Sequence, residues 1–400
     1  MSRKIVVVGA SAASVGFISK LRSFDTQSEV VCFSGEKNIP YNRCLLADYT
    51  MLDKSFDDIQ LKTDDFYKEN NVDLRLNSWV SAIDKEQKTV TVNGEQESYD
   101  YLFIGTGTQA FIPNIPGTDL PGVFGFHAFA DVDKLDTFIQ DLMPKSAIVV
   151  GAGINGIEAV SSLVSRGLKV SVVDLSDSIM PLQVDATASV FIEKLMKENG
   201  VSVFKGQKIV SLQTRNKESV GRVQFESGAV LTTDCVVLAT GSRVNSSLID
   251  QAGLKTQDGS LVVDGTMKTS DQFIYAGGDV CMAPDILSKE LVKSVTWSDA
   301  MLQGLTAATQ LSEKPRAYPG IVGMRDSEFF GYEFYGCGET VDVELFDVIE
   351  IHKKSHLHKF YLFDGKLQGF ILIGSVEKLA RYRTFYLTQQ VIEKCDLTEK

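Results

Sequence analysis

The chain of 400 residues exceeds what a single hydrophobic core supports and points to two or three domains. Hydrophobic residues make up 44% and charged residues 23% of it, close to globular averages, which excludes a disordered or low-complexity chain. The net charge of −12 disfavours a nucleic-acid or anionic-membrane surface, because phosphate backbones are held mainly by Lys and Arg, and leaves small molecules or a protein partner.

The first residues place basic side chains before an apolar run, as a signal peptide does, but the run is too short. They read better as a buried strand from Lys4 to Val8 followed by a phosphate-binding turn at Gly9. A helical pattern opens with Ser11, Ala13 and Ser14. A second β-branched strand runs from Ser28 to Phe33, with Glu36 shortly after it. This is a βαβ unit. Glycine directly after the strand allows a tight turn, and small residues beyond it let the backbone approach a pyrophosphate lying over the helix N-terminus. The acid accepts hydrogen bonds from ribose hydroxyls. Ser11 and Ser14 stand where the G-x-G-x-x-G pattern has its second and third glycines.

Farther along, Asn93-Gly94 predicts a tight hairpin turn after the strand Thr89 to Val92, and Tyr99 to Ile104 reads as an apolar strand ending in Gly105-Thr106-Gly107. At Ala147 the opening pattern returns: a strand to Val150, then Gly151, Gly153 and Gly156 in full spacing, Glu158, a second strand from Leu168 to Val173, and Asp174 at its end. The charge of Asp174 repels a 2′-phosphate, which favours NADH over NADPH. Two copies imply two dinucleotides. Asp234 to Ala239 is another strand, ending in Thr240-Gly241. Thr269 to Ala276 is a further one, ending in Gly277, Gly278 and Asp279, an acid placed to bond a ribityl hydroxyl. From Arg316 the tail is β-rich over 343–351, 359–363 and 366–373, with a hairpin turn at Asp364-Gly365 and a helical pattern over 378–393.

Six cysteines occur without a C-x-x-C pair, which argues against a zinc site, a dithiol centre or a secreted disulfide scaffold and fits a reducing cytoplasm. No stretch reaches the roughly 18 apolar residues of a membrane span. His352, His356 and His358 lie beside Lys353, Lys354 and Lys359. They lack acids or cysteines at ligand spacing, so no metal is expected, and the segment reads as a solvated basic hairpin or a docking patch for an acidic redox partner.

Five of these motifs stand in the order found in the pyridine nucleotide-disulfide oxidoreductase superfamily, which the chain resembles over nearly its whole length: the Gly9 turn, Thr106-Gly107, the turn from Gly151 to Glu158, Thr240-Gly241, and Tyr275 to Asp279. Within it, Pro40-Tyr41-Asn42-Arg43-Cys44-Leu45-Leu46 is similar to a loop of rubredoxin reductases, ferredoxin reductases and the flavin domain of assimilatory nitrite reductases. Trp297 to Gly304 is similar to the helix that follows their flavin motif. The resemblance implies an α/β fold with two Rossmann-like dinucleotide-binding domains, for FAD and NAD, plus a small C-terminal α/β domain. The expected boundaries are 1–112 with 241–315 for FAD, 113–240 for NAD, and 316–400 for the C-terminal domain, which would cover the flavin or form a homodimer surface.

It further implies Arg43 near the flavin and Trp297 near the nicotinamide, where the residues alone also allow a surface-paired arginine and a core tryptophan. Many relatives carry a lysine paired with the glutamate at Glu158, and here that place falls on Asp48. Cys44 is a candidate redox thiol, although in coenzyme A-disulfide reductases the single cysteine precedes the Pro-Tyr pair instead of following it. The implied activity is NADH oxidation through FAD to an acceptor. Three readings of the acceptor side follow: a small redox protein of the rubredoxin or ferredoxin type, a disulfide or persulfide reduced through Cys44, or an NADH-responsive flavoprotein acting through protein binding.

Overall fold

The computed structural model describes residues 3–215, 219–294, 296–353 and 355–398. The chain divides into two compact units. One comprises Met1–Asn42, Phe56–Gln109 and Arg243–Gly323; the other comprises Arg43–Ser55, Ala110–Ser242 and Met324–Lys400.

The first unit is built on β1 (Lys4–Val8), α1 (Ala12–Arg22), β2 (Glu29–Phe33), β3 (Val72–Arg75) and β4 (Tyr101–Ile104). Its central sheet is parallel, with the strand Ile274–Ala276 beside β4, then β1, β2 and β3. Val6, Val7 and Ile104 are fully buried, as expected of parallel strands covered on both faces. An antiparallel meander over Val80–Asp84, Thr89–Val92 and Glu95–Ser98 is inserted between β3 and β4. Its Asn93-Gly94 turn is the hairpin that the sequence predicts.

The second unit repeats the plan with β5 (Ser146–Val150), α2 (Ile154–Ser165), β6 (Lys169–Val173) and β7 (Cys235–Leu238). Its parallel sheet runs Ser202–Phe204, β6, β5, β7, Val123–Gly125. The repetition extends to register. Val8 pairs with Phe33 and Ile104, and Val150 pairs with Val173 and Leu238. Gly9 N–H donates to the Phe33 carbonyl at 2.9 Å, and Gly151 N–H to the Val173 carbonyl at 2.8 Å.

The C-terminal part of the second unit is a five-stranded antiparallel sheet in the order Arg325–Phe329, Tyr332–Gly338, Lys366–Gly374, His356–Phe363, Asp347–Lys353. The helix Leu379–Thr388 follows. Asp364-Gly365 makes the expected turn between two of its strands.

Several local expectations change. The helix read over 378–393 stops at Thr388, where Gln389 turns left-handed with φ 52°. The strand expected from Thr269 shortens to Ile274–Ala276 because Thr269 bonds back to the Ile274 carbonyl, from its N–H at 3.0 Å and its Oγ1 at 2.9 Å. Tyr332–Gly338 carries two glycines, which weaken a strand pattern, and was not legible. The basic hairpin is not uniformly solvated either. Lys359 is 3% exposed and is ion-paired to Asp185, the N-cap of Ala186–Glu198, and to Glu350 at 3.4 Å. His358 Nε2 lies 2.6 Å from the Ser375 carbonyl. Lys354 lies outside the described residues. Among the described residues no helix is long and apolar enough to cross a membrane.

Candidate functional site

The two turns after β1 and β5 place their candidate residues in equivalent ways. Gly9 has φ 89°, and a Cβ there would lie 2.5 Å from the Gly105 carbonyl oxygen, so only glycine fits. At the third-glycine position the two copies solve one packing problem differently. In the second copy a Cβ on Gly156 would lie 2.0 Å from the Gly151 oxygen, and Ala239 fills the space opposite. In the first copy Ser14 takes the place of Gly156, its Oγ donating to the Gly9 carbonyl at 2.6 Å. Gly105, the counterpart of Ala239, leaves the room, since a Cβ on it would meet Ser14 Oγ at 2.4 Å. The departure from glycine is thus compensated across the sheet.

Both turns feed helix N-termini suited to a pyrophosphate. Ser11 caps α1 and Gly153 caps α2 with no side-chain cap hydrogen bond, and neither first turn holds an acid. By contrast Asp185 and Thr296 cap their helices with their side chains. A dinucleotide phosphate between the Gly151 and Gly156 positions would meet open space at Gly153, where a Cβ would have no neighbour within 4 Å. The uncapped N–H groups and the positive helix end provide the attraction. These residues fit FAD and NAD(P)H.

The acids occupy different registers in the two copies. Asp174 follows β6 directly, and its carboxylate accepts from Ala152 N–H at 2.6 Å and from Ser176 N–H at 2.7 Å. The structural counterpart of Asp174 is Ser34, and Glu36 corresponds to Ser176. Glu36 is held by Tyr41, whose hydroxyl donates to Oε2 at 2.7 Å. The buried ring of Tyr41 and this bond give the tyrosine of the Pro40-Tyr41 pair its role.

Glu158 lies on α2, two residues past Gly156. Ser327 Oγ, from the C-terminal sheet, donates to its Oε1 at 2.7 Å. Burial pushes the carboxyl up to about 7, opposed by that hydrogen bond and aided by the negative charges of Asp48 and Asp326. Asp48 therefore acts on Glu158 with the electrostatic effect opposite to that of a lysine. Folded Glu158 holds a proton between its ordinary value of 4.5 and about 7, so the native state binds more protons in that window and loses stability as pH rises through it. Glu158→Gln, which stays neutral, should leave the melting temperature unchanged near pH ~4 and raise it relative to the parent near pH ~8. An equal shift at both values, read by thermal melts, would count against a titrating Glu158.

The remaining candidates fall into both units. Gly9, Ser11, Ala13, Ser14, Glu36, Thr106, Gly107, Gly278, Asp279 and Trp297 belong to the first; Arg43, Cys44, Gly151, Gly153, Gly156, Glu158, Asp174, Thr240 and Gly241 belong to the second. Arg43 opens a 3-10 turn and donates to the His127 carbonyl at 2.9 Å. Cys44 in the same turn is exposed. Thr240 Oγ1 donates to the Phe111 carbonyl at 2.6 Å, and Phe111 N–H to the Gly241 carbonyl at 2.9 Å, which fastens the Thr240-Gly241 turn. Trp297 is 39% exposed, so it is not a core tryptophan.

Sequence reasoning missed Gln303, Tyr318 and Asp299. Gly278 N–H donates to Gln303 Oε1 at 2.7 Å, Gln303 Nε2 donates to Tyr318 Oη at 3.4 Å, and Tyr318 donates to Asp299 Oδ1 at 3.2 Å. Asp299 also accepts from Val322 and Gly323 N–H. This buried chain of polar groups fixes the backbone one residue before Asp279. Its sequence signal is only that Asp299 is the one charged residue and Gln303 the one amide of the helix Trp297–Thr309.

The pyridine nucleotide-disulphide oxidoreductase profile matches residues 3–304. The chain is 30% identical to an NADH oxidase of Methanocaldococcus jannaschii, over 84% of this chain and 76% of that protein. It is 30% identical to the assimilatory nitrate reductase electron transfer subunit of Bacillus subtilis, over 98% of this chain but 50% of that protein, so it spans only half of that relative. It is 29% identical to the rubredoxin-NAD(+) reductase of Pseudomonas putida, over 80% of this chain and 84% of that protein. Among solved structures, the reduced Bacillus anthracis CoADR-RHD superposes with a TM-score of 0.91 at 26% identity, covering 98% of this chain and 75% of that one.

Proposed function

Since the chain belongs to the pyridine nucleotide-disulphide oxidoreductase family, we propose that it oxidises NADH and passes the electrons to a small one-electron redox protein. Family membership makes it an NAD(P)H-dependent oxidoreductase that binds FAD and NAD(P)H. FAD takes up the reducing equivalents of NAD(P)H as a pair and can release them singly. The first unit holds FAD in this reading, with the Gly9 turn against the pyrophosphate, Glu36 on the ribose and Gly278-Asp279 toward the ribityl chain. The second unit holds the nicotinamide cofactor, through the Gly151 to Gly156 turn and Asp174.

The observation that carries the acceptor is the state of the cysteines. All six are outside disulfides, and Cys32, Cys235, Cys281 and Cys337 are buried. Burial pushes Cys32 and Cys235 up to about 12 and Cys281 upward as well, so these three stay protonated thiols at neutral pH and do not act as nucleophiles. A disulfide route would run through Cys44, the exposed thiol of the loop, whereas an electron-transfer route needs no thiol. The similarity to a rubredoxin reductase and to an electron transfer subunit supports the same reading. The similarity to CoADR-RHD favours a coenzyme A disulfide or persulfide as the second reading.

Stopped-flow reoxidation of the NADH-reduced protein under argon separates them. Ferricyanide or a small iron–sulfur protein should reoxidise it faster than any disulfide or coenzyme A persulfide, and Cys44→Ser should keep the rate within about threefold. A disulfide that outpaces every one-electron acceptor, or a loss beyond about 100-fold in Cys44→Ser with FAD retained, would install the thiol route instead.

A further inference from the structure

We infer that Trp79 forms a stacking wall for the adenine of the dinucleotide held by the first unit. The inference rests on the reading that this unit binds FAD. Trp79 is 52% exposed, unusual for the largest apolar side chain, and its position is set by backbone. Ser78 N–H donates to the Ser34 carbonyl at 2.7 Å and Asn77 N–H to the Glu36 carbonyl at 3.0 Å, so the segment entering the meander is fastened to the carboxyl end of β2. Between those two anchors stands Gly35. A Cβ there would lie 2.6 Å from Trp79 Cε3 and 3.1 Å from Cζ3, so the indole rests directly on the backbone of the residue before Glu36.

Dinucleotides lie outside the carboxyl ends of parallel strands, with the adenosine ribose at the acid after the second strand. The adenine attached to that ribose then lies beside Glu36 and within the span of the indole. An aromatic face there gains stacking that water and a charged side chain do not provide.

The internal repeat supplies a control within the same chain. In the second unit Gly206 N–H donates to the Ser176 carbonyl at 2.9 Å and Gln207 N–H to the Asp174 carbonyl at 2.9 Å, reproducing the bonds of Asn77 and Ser78. The residue standing in the place of Trp79 is therefore Lys208, which is ion-paired to Glu226 at 2.6 Å. The aromatic wall belongs to one copy alone, so it distinguishes the two adenosine sites.

The chain holds two tryptophans, which makes the test direct. In full-length Trp297→Phe protein stripped of flavin, Trp79 is the sole indole, and ADP, which has an adenine but no isoalloxazine, should quench its emission. The quench should survive Gly156→Val and vanish in Gly9→Val. In otherwise unaltered protein, Trp79→Leu should weaken FAD binding by about 10-fold, while Trp79→Phe keeps it within about threefold, because phenylalanine retains a flat face and leucine only the volume. Emission indifferent to ADP, or FAD binding by Trp79→Leu equal to that of the parent, would overturn the inference. If Gly9→Val also binds FAD normally, the assignment of FAD to the first unit fails with it; if Gly9→Val loses FAD, only the role of Trp79 fails.

Discussion

Gly156→Val should give a yellow protein that NADH no longer bleaches, and Gly9→Val a colourless one. Both residues sit where a strand hands over to a helix, and in each case the obstacle to a side chain is main chain. The first atom of any side chain on Gly156 would be 2.0 Å from the Gly151 oxygen, and Gly151 is held by its bond to Val173. Relief would require α2 to move off β5, which withdraws its N-terminal N–H groups from a phosphate. Gly9 combines a 2.5 Å approach to the Gly105 oxygen with φ 89°, a left-handed geometry that costs a β-branched residue on the order of 1–2 kcal/mol before any clash. Since the two turns lie in separate units, each variant should lose one cofactor and keep the other. Flavin absorbance and anaerobic reduction by NADH read the two losses separately. The reverse pattern, with flavin lost in Gly156→Val and kept in Gly9→Val, would exchange the cofactors between the units.

NADH should reduce the bound flavin at least about 10-fold faster than NADPH at subsaturating concentration, and Asp174→Asn should bring the two within about threefold. A carboxylate several ångströms from a 2′-phosphate costs on the order of 1–3 kcal/mol at a partly screened site, and higher salt should narrow the preference further. Asparagine is the informative replacement because Asp174 also anchors the turn. Its two oxygens accept from Ala152 and Ser176 N–H, and asparagine keeps one acceptor while removing the charge, whereas a shorter serine would loosen the turn as well. Equal rates in the parent protein, measured by rapid mixing with each cofactor, would remove Asp174 as the selector.

The sequence by itself determined the parallel strands β1 and β5, their glycine turns, the second strands and the family, because each depends on residues adjacent in the chain. An apolar strand, a positive-φ glycine and a small-residue helix start are local demands that a few letters express. It also located Glu36 and Asp174 and their different distances past the strands, but not the Asn77-Ser78 and Gly206-Gln207 segments that bond beside them.

Tertiary structure alone decided the rest, and in each instance the deciding partner is remote in the chain. Ser14 is tolerated because Gly105 faces it. Glu158 is raised because α2 and the C-terminal sheet bury it beside Asp48 and Asp326, with Ser327 bonding from 169 residues away. Lys359 reads as one more charge in a basic run, yet it is buried because Asp185 lies opposite. Desolvation and charge pairing act through space, so the ionisation of a carboxyl or the burial of a lysine depends on neighbours that no local pattern of residues can name.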